Sequence, residues 1–208
     1  ARGATRPTTQ ARRRSAGKGE FARRAAAAAG GGRSGRLAPD GRDGMLQHAR
    51  EFKEAGIPFI FDPGQGLPMF DGDELLAFID RATYVTLNDY EAQLLQERTG
   101  RTLADLAKRV RALIVTRGAQ GSLIHAGGQQ LEIASVKPQA IVDPTGCGDA
   151  YRAGLLYGIE QQMDWRTTGQ LASLVGALKI TSRGGQNHRF TRDEIAERYR
   201  EAFATRIW

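Results

Sequence analysis

Three short apolar runs recur along this chain, each preceded by a segment of helix length. They are Ile57-Pro58-Phe59-Ile60-Phe61, Thr83-Tyr84-Val85-Thr86-Leu87 and Ala112-Leu113-Ile114-Val115-Thr116. Five residues rich in aliphatic and aromatic side chains are too few for a buried helix and read as buried parallel strands. The intervening text carries helix signals. Asp43 can cap a helix over 44–55 with Met45, Ala49 and Phe52 on one face, and Leu75, Leu76 and Ile79 mark a second. Asn88 opens a third that Gly100 stops, and Thr102 with Asp105 opens a fourth carrying Leu103, Leu106 and Val110. Strands alternating with helices specify an α/β sheet covered by helices. Farther on, Leu123-Ile124-His125 and Leu131-Glu132-Ile133 flank Gly127-Gly128 as a hairpin. Helices follow over 150–162 and 168–181, and Thr191 with Glu194 forms a capping box for the last one.

The charge is unevenly placed. Residues 1–39 hold nine Arg and one Lys against one Glu, so +9 of the net +7 lies there and the remainder carries −2. Residues 1–37 are rich in Arg, Ala and Gly and nearly free of large apolar side chains, which predicts a disordered leader, with the folded domain over 38–208. A nucleic-acid-binding arm is the weaker reading, since no aromatics are interleaved with the arginines. No apolar run reaches the length of a membrane span. A single cysteine, Cys147, excludes an intramolecular disulfide and fits a reducing, cytoplasmic setting. His48, His125 and His188 lack metal-ligand spacing.

The chemistry concentrates in Ile141-Val142-Asp143-Pro144-Thr145-Gly146-Cys147-Gly148-Asp149-Ala150. Two aliphatics predict an extended entry, the Pro/Gly-rich run a tight turn, and the apolar segment after Asp149 a helix. The opening N–H groups of a helix lack intrahelical acceptors and form a ready anion site. A carboxylate beside a held phosphoryl group can accept a hydroxyl proton. Spacing alone leaves a plain capping role for Asp149 equally open.

This stretch resembles the second signature of the ribokinase-like (PfkB) sugar and nucleoside kinases, where Asp-Thr-x-Gly-Ala-Gly-Asp is usual. Pro144 and Cys147 depart from that pattern but leave both carboxylates and both glycines in place. The run through Ala150-Tyr151-Arg152-Ala153-Gly154 is most similar to bacterial adenosine-kinase-like members. Asn88-Asp89-Tyr90-Glu91 is similar to the family's Asn-x-x-Glu motif, and Thr116-Arg117-Gly118-Ala119-Gln120-Gly121 to its Thr-x-Gly-x-x-Gly loop.

The resemblance implies a three-layer α/β/α Rossmann-like sheet. The similarity begins near Leu37, so the first strands and the lid of such kinases are expected to be missing, as in a truncated or frame-shifted reading. It implies ATP-dependent transfer to a primary hydroxyl of a nucleoside or sugar, with adenosine the leading acceptor. Asp149 would be the base, and the amides of Gly146, Cys147 and Gly148 the anion hole. Asn88, Thr116, Gly118, Gly121, Gly185 and Asn187 would lie along ATP. Asn88 and Glu91 would order the water shell of Mg²⁺, and Asp143 would adjoin a monovalent cation such as K⁺. A non-catalytic nucleotide-binding fragment is the alternative. Asp62, before Pro63, reads as a turn residue.

Overall fold

The computed structural model describes residues 34–208. Strands β1 (Gly35–Leu37), β2 (Phe59–Phe61), β3 (Tyr84–Asn88), β4 (Ala112–Thr116), β5 (Ser122–Ala126) and β6 (Gln129–Ile133) form one sheet in sequential order. The first four are parallel, and β5 and β6 continue antiparallel. The helices are α1 (Arg42–Glu54), α2 (Gly72–Arg81), α3 (Asp89–Thr99), α4 (Leu103–Ala107), α5 (Cys147–Glu160), α6 (Trp165–Lys179) and α7 (Arg192–Phe203).

Strand alternation divides the core between two faces. Phe59, Phe61, Val85, Leu87, Leu113 and Val115 join residues of α1–α4 in one cluster. Ile60, Tyr84, Ala112 and Ile114 join Tyr151 and Leu155 of α5 and Ala172 of α6 in the other. The connectivity explains the division. Crossovers between parallel strands are right-handed, so strands added in one direction keep every connecting helix on the same face. Among the described residues, the opposite face is covered when the chain returns after β6. Both faces are then buried, which is why β2–β4 are apolar without interruption. The α/β/α layering agrees with the sequence expectation.

The two returning helices pack unusually close because small residues face each other. An added Cβ at Gly154 would lie 2.6 Å from Ala172 Cα, and one at Gly158 would lie 2.6 Å from Thr168 Oγ1. α7 then covers α6, with Tyr199 buried against it and its hydroxyl donating to Gln170 Oε1 at 2.6 Å.

Several boundaries differ from expectation. The expected leader end at residue 37 falls inside the fold, since Gly35–Leu37 is a strand with Leu37 buried. A three-residue strand gains its order from pairing with β2, and its sequence carries little periodic signal of its own. The rest of the expected leader, 1–33, lies outside the described residues, as does the expected loss of upstream strands and lid. Helix α1 starts at Arg42 after Gly41 without a side-chain cap, leaving Asp43 in its first turn. α6 starts at Trp165, capped by Asp164, three residues before the expected start. Ile141 and Val142 form no strand, and Ile141 is 77% exposed. The Ile180 carbonyl accepts the N–H groups of Val142 and Asp143 at 3.0 and 3.1 Å, tying this entry to the end of α6 rather than to the sheet.

Gly154→Ala should force α5 from α6, with an overpacking cost of about 1–3 kcal/mol. The expected fall in thermal midpoint is roughly 2–10 °C by calorimetry. An unchanged midpoint would mean the helices have slack that the 2.6 Å approach does not suggest.

Candidate active site

The carboxyl ends of parallel strands are where open α/β sheets hold ligands. Asp62 follows β2, Asn88 ends β3 and Thr116 ends β4, with Asn88 and Thr116 directly paired in register. Asn88 caps α3 in a reciprocal box. Its Oδ1 accepts the Glu91 N–H at 2.7 Å, while Glu91 accepts the Asn88 backbone N–H at 2.8 Å and Nδ2 at 2.9 Å. Burial pushes the Glu91 carboxyl up, opposed by the Asn88 N–H and the Arg152 charge. Each Glu91 oxygen thus has one donor and keeps a second lone-pair direction. The arrangement suits outer contacts to the waters of a hydrated Mg²⁺ better than direct ligation. Among the described residues no three His, Cys, Asp or Glu side chains converge as a metal cage.

Asp62 is more than a turn residue. It is 1% exposed, its Oδ2 accepts Arg36 Nε at 2.7 Å, and Arg152 Nε lies 2.6 Å from the same oxygen. Arg36 Nη2 continues to Asp149 Oδ1 at 3.0 Å. One carboxylate therefore connects β1, β2 and the first turns of α5. The signal for it in the sequence was its place after an apolar strand, but its two arginine partners stand 26 residues upstream and 90 downstream, too far to be read as a motif.

Helix α5 begins inside the glycine turn, at Cys147, three residues before the expected start at Ala150. Gly146 is its N-cap with φ 82°, a left-handed conformation that glycine adopts without strain. An added Cβ there would meet Gly185 Cα and O at 3.0 Å, so the turn lies directly against the loop after α6. The Cys147 N–H, expected in the anion hole, is instead donated to the Pro144 carbonyl at 3.1 Å, closing the turn. The amides of Gly146, Gly148 and Asp149 have no acceptor among the described residues. Burial also pushes the Cys147 thiol up. The Asp149 side chain is 70% exposed. Its contact with Arg36 is of a kind worth about 0–1 kcal/mol, weak enough for an incoming anion to displace.

The remaining candidates separate by role. Thr116 Oγ1 donates to the Leu87 carbonyl at 3.3 Å, and Ser122, its register partner, shares a 2.6 Å hydrogen bond with the Tyr151 hydroxyl of α5. This bond holds α5 to the β4–β5 corner, and burial pushes the Tyr151 hydroxyl up to about 12. Gly118 opens a single 3₁₀ turn at the corner. Gly121, expected along ATP, has a structural reason to be glycine, since a Cβ would lie 2.0 Å from the Ile133 carbonyl. A Cβ on Gly185 would meet nothing within 4 Å, whereas the Asn187 amide turns back on Gly184 in its own loop.

Asp143 ties the glycine turn to that loop. Its Oδ1 accepts the Thr145 N–H at 2.9 Å and its Oδ2 the Gly184 N–H at 2.7 Å. These bonds, Gly184 first, hold its carboxyl at about 2. Its carbonyl accepts the ammonium of buried Lys179 at 2.9 Å. The expected monovalent cation does not fit beside this group. Two positive charges about 4 Å apart repel by about 4 kcal/mol at an effective dielectric constant near 20.

Residues 21–191 match the pfkB family carbohydrate kinases, a match that starts upstream of the resemblance read from the motifs. The chain belongs to the PfkB family. A nucleoside kinase of Burkholderia thailandensis, solved in complex with inosine, superposes with a TM-score of 0.81 at 52% identity, over 82% of this chain and 56% of that one. The nucleoside kinase of Methanocaldococcus jannaschii is 33% identical over 66% of this chain and 46% of its own length. Bacillus subtilis ribokinase is 32% identical over 68% and 46%. The chain thus spans about half the length of the curated relatives it matches. Among the described residues, no helix is long and apolar enough to cross a membrane.

Two outcomes follow. Asp62→Ala leaves two guanidinium groups without their shared anion and should cost about 3–5 kcal/mol, the range for breaking a buried pair, read as a lower urea midpoint. For Asp143, the folded value lies below the ordinary 3.8, so its stabilisation is present above about pH 4 and is lost as pH falls toward about 2. Asp143→Asn should therefore remove part of the acid sensitivity in that window. Urea titrations of parent and variant that stay parallel from neutral pH to pH 2 would contradict this.

Proposed function

We propose that this chain carries the nucleotide-binding and proton-accepting part of an ATP-dependent kinase for nucleosides. The carrying observation is the start of α5, where the free amides of Gly148 and Asp149 stand beside an exposed carboxylate. In the proposed reaction the primary hydroxyl of the acceptor attacks the terminal phosphorus of ATP. The hydroxyl proton passes to Asp149, the phosphorus–oxygen bond to ADP breaks, and the phosphorylated nucleoside forms. Phosphoryl transfer requires mainly positioning and charge stabilisation. The Gly146, Gly148 and Asp149 amides supply fixed donors for the charge that develops on the transferred group. Arg36, released from Asp149, supplies a further cation.

Asn88 and Glu91 hold the water shell of Mg²⁺, which neutralises charge on the phosphates when bound. Thr116, Gly118 and Gly185 line the nucleotide's path. The similarity to kinases named for nucleosides, one of them solved with inosine and also with ADP-inosine, favours a purine nucleoside over a free sugar. Adenosine remains our leading acceptor, with inosine the direct competitor. A reducing cytoplasmic setting is part of the same reading. The second reading is a nucleotide-binding chain without transfer.

The test incubates the purified chain with ATP, Mg²⁺ and adenosine, inosine or ribose, and quantifies ADP and phosphorylated product by chromatography. Product is expected with a nucleoside. Asp149→Asn should lower the rate by about 10²–10⁴-fold while leaving ADP affinity within about threefold, because the carboxamide keeps the shape but cannot take the proton. Near-parental turnover by Asp149→Asn would assign that residue to capping alone. ADP binding without transfer to any acceptor would select the second reading.

A further inference from the structure

A lysine in the last turn of a helix ordinarily extends its ammonium to water. Lys179 does not. It is 0% exposed, and its Nζ donates to the carbonyls of Asp143 at 2.9 Å and Ser182 at 3.0 Å. Those carbonyls belong to two different segments, the turn that leads into α5 and the loop that follows α6. The Asp143 carboxylate joins the same two segments from the other sign of charge, accepting amides of Thr145 and Gly184. The Ile180 carbonyl adds the N–H groups of Val142 and Asp143. A buried ammonium is tolerated only with acceptors and an anion close by, and here both are supplied.

This constellation has the composition of a cation site: backbone carbonyls from two loops and one nearby carboxylate, gathered around a single positive charge. The charge belongs to the chain. We propose that the Lys179 ammonium acts as a built-in cation that organises the glycine turn, in place of a bound monovalent ion such as K⁺. A tethered ammonium cannot dissociate, so the turn keeps its shape whatever the ionic composition of the medium. It also holds a fixed positive charge on the segment that leads into α5, and a Cβ at Gly176, on the preceding turn of α6, would lie only 3.6 Å from the Cys147 carbonyl. The catalytic consequence rests on the kinase reading above, whereas the structural role does not.

The test records thermal unfolding midpoints of the full chain in choline, sodium and potassium chlorides at matched ionic strength, without nucleotide. The parent should give midpoints within about 1–2 °C of one another, a shift too small for loss of one charged hydrogen bond. Lys179→Ala should fall by roughly 3–12 °C in choline, and potassium, able to enter the space vacated among the carbonyls, should restore about half or more of that loss. A potassium-specific rise in the parent would overturn the proposal, since an ion site would then exist beside the lysine. An equal fall of Lys179→Ala in all three salts would overturn it as well, leaving Lys179 only a helix-terminal tie. Should the variant not fold in any salt, the parent's response decides alone. None of these readouts is turnover, so failure of the kinase reading leaves them intact.

Discussion

The carboxylate of Asp62 is the contact on which the site's assembly depends. It sits at the end of a fully buried strand and gathers Arg36 from β1 and Arg152 from α5. An uncompensated buried carboxylate would be expensive, and so would either guanidinium left without an anion. The three groups therefore constrain one another, and Asp149 is reached through Arg36 at the rim. Apolar packing of α5 on the sheet sets the distance between helix and strands, but it has no preference for rotation at the level of one hydrogen bond. The charged contact supplies that preference, and the Ser122–Tyr151 bond repeats it at the β4–β5 corner.

A second set of contacts hangs the glycine turn on the end of α6. Ile180, Asp143, Lys179 and Gly184 exchange carbonyl, carboxylate, ammonium and amide bonds over a stretch with little apolar content. This explains how Ile141 and Val142 can be exposed while the turn that follows them is well defined. Polar satisfaction replaces burial there. The free amides at the start of α5 are the part of this network left without partners, which is where an anion would be held.

The local geometry of the candidate site was readable because its signals are local. A capping box needs only Asn88 and Glu91 three residues apart, and a glycine turn at a helix start needs only its own ten residues. The sequence could not decide between capping and metal organisation for Asn88 and Glu91, and the structure shows the capping bonds with acceptor directions to spare. The packing that requires glycine at 121 was not readable, since the atom a Cβ would meet is the carbonyl of Ile133 in β6, twelve residues away. β1 was missed because three residues of mixed polarity carry no period, and their order comes from pairing.

Taken by itself, the sequence determined the alternation of strands and helices, the apolar character of β2–β4 and the capping boxes at Asn88 and Thr191. Each follows from residues within one turn or one strand of each other, where periodicity and hydrogen-bond reach are set by local geometry. Only the tertiary structure decided that Asp62 is the junction of two arginines, that the Cys147 amide is spent on Pro144, and that Lys179 turns inward onto carbonyls. Those outcomes depend on which distant segments meet, and electrostatic partners far apart in the chain leave no period or spacing to read.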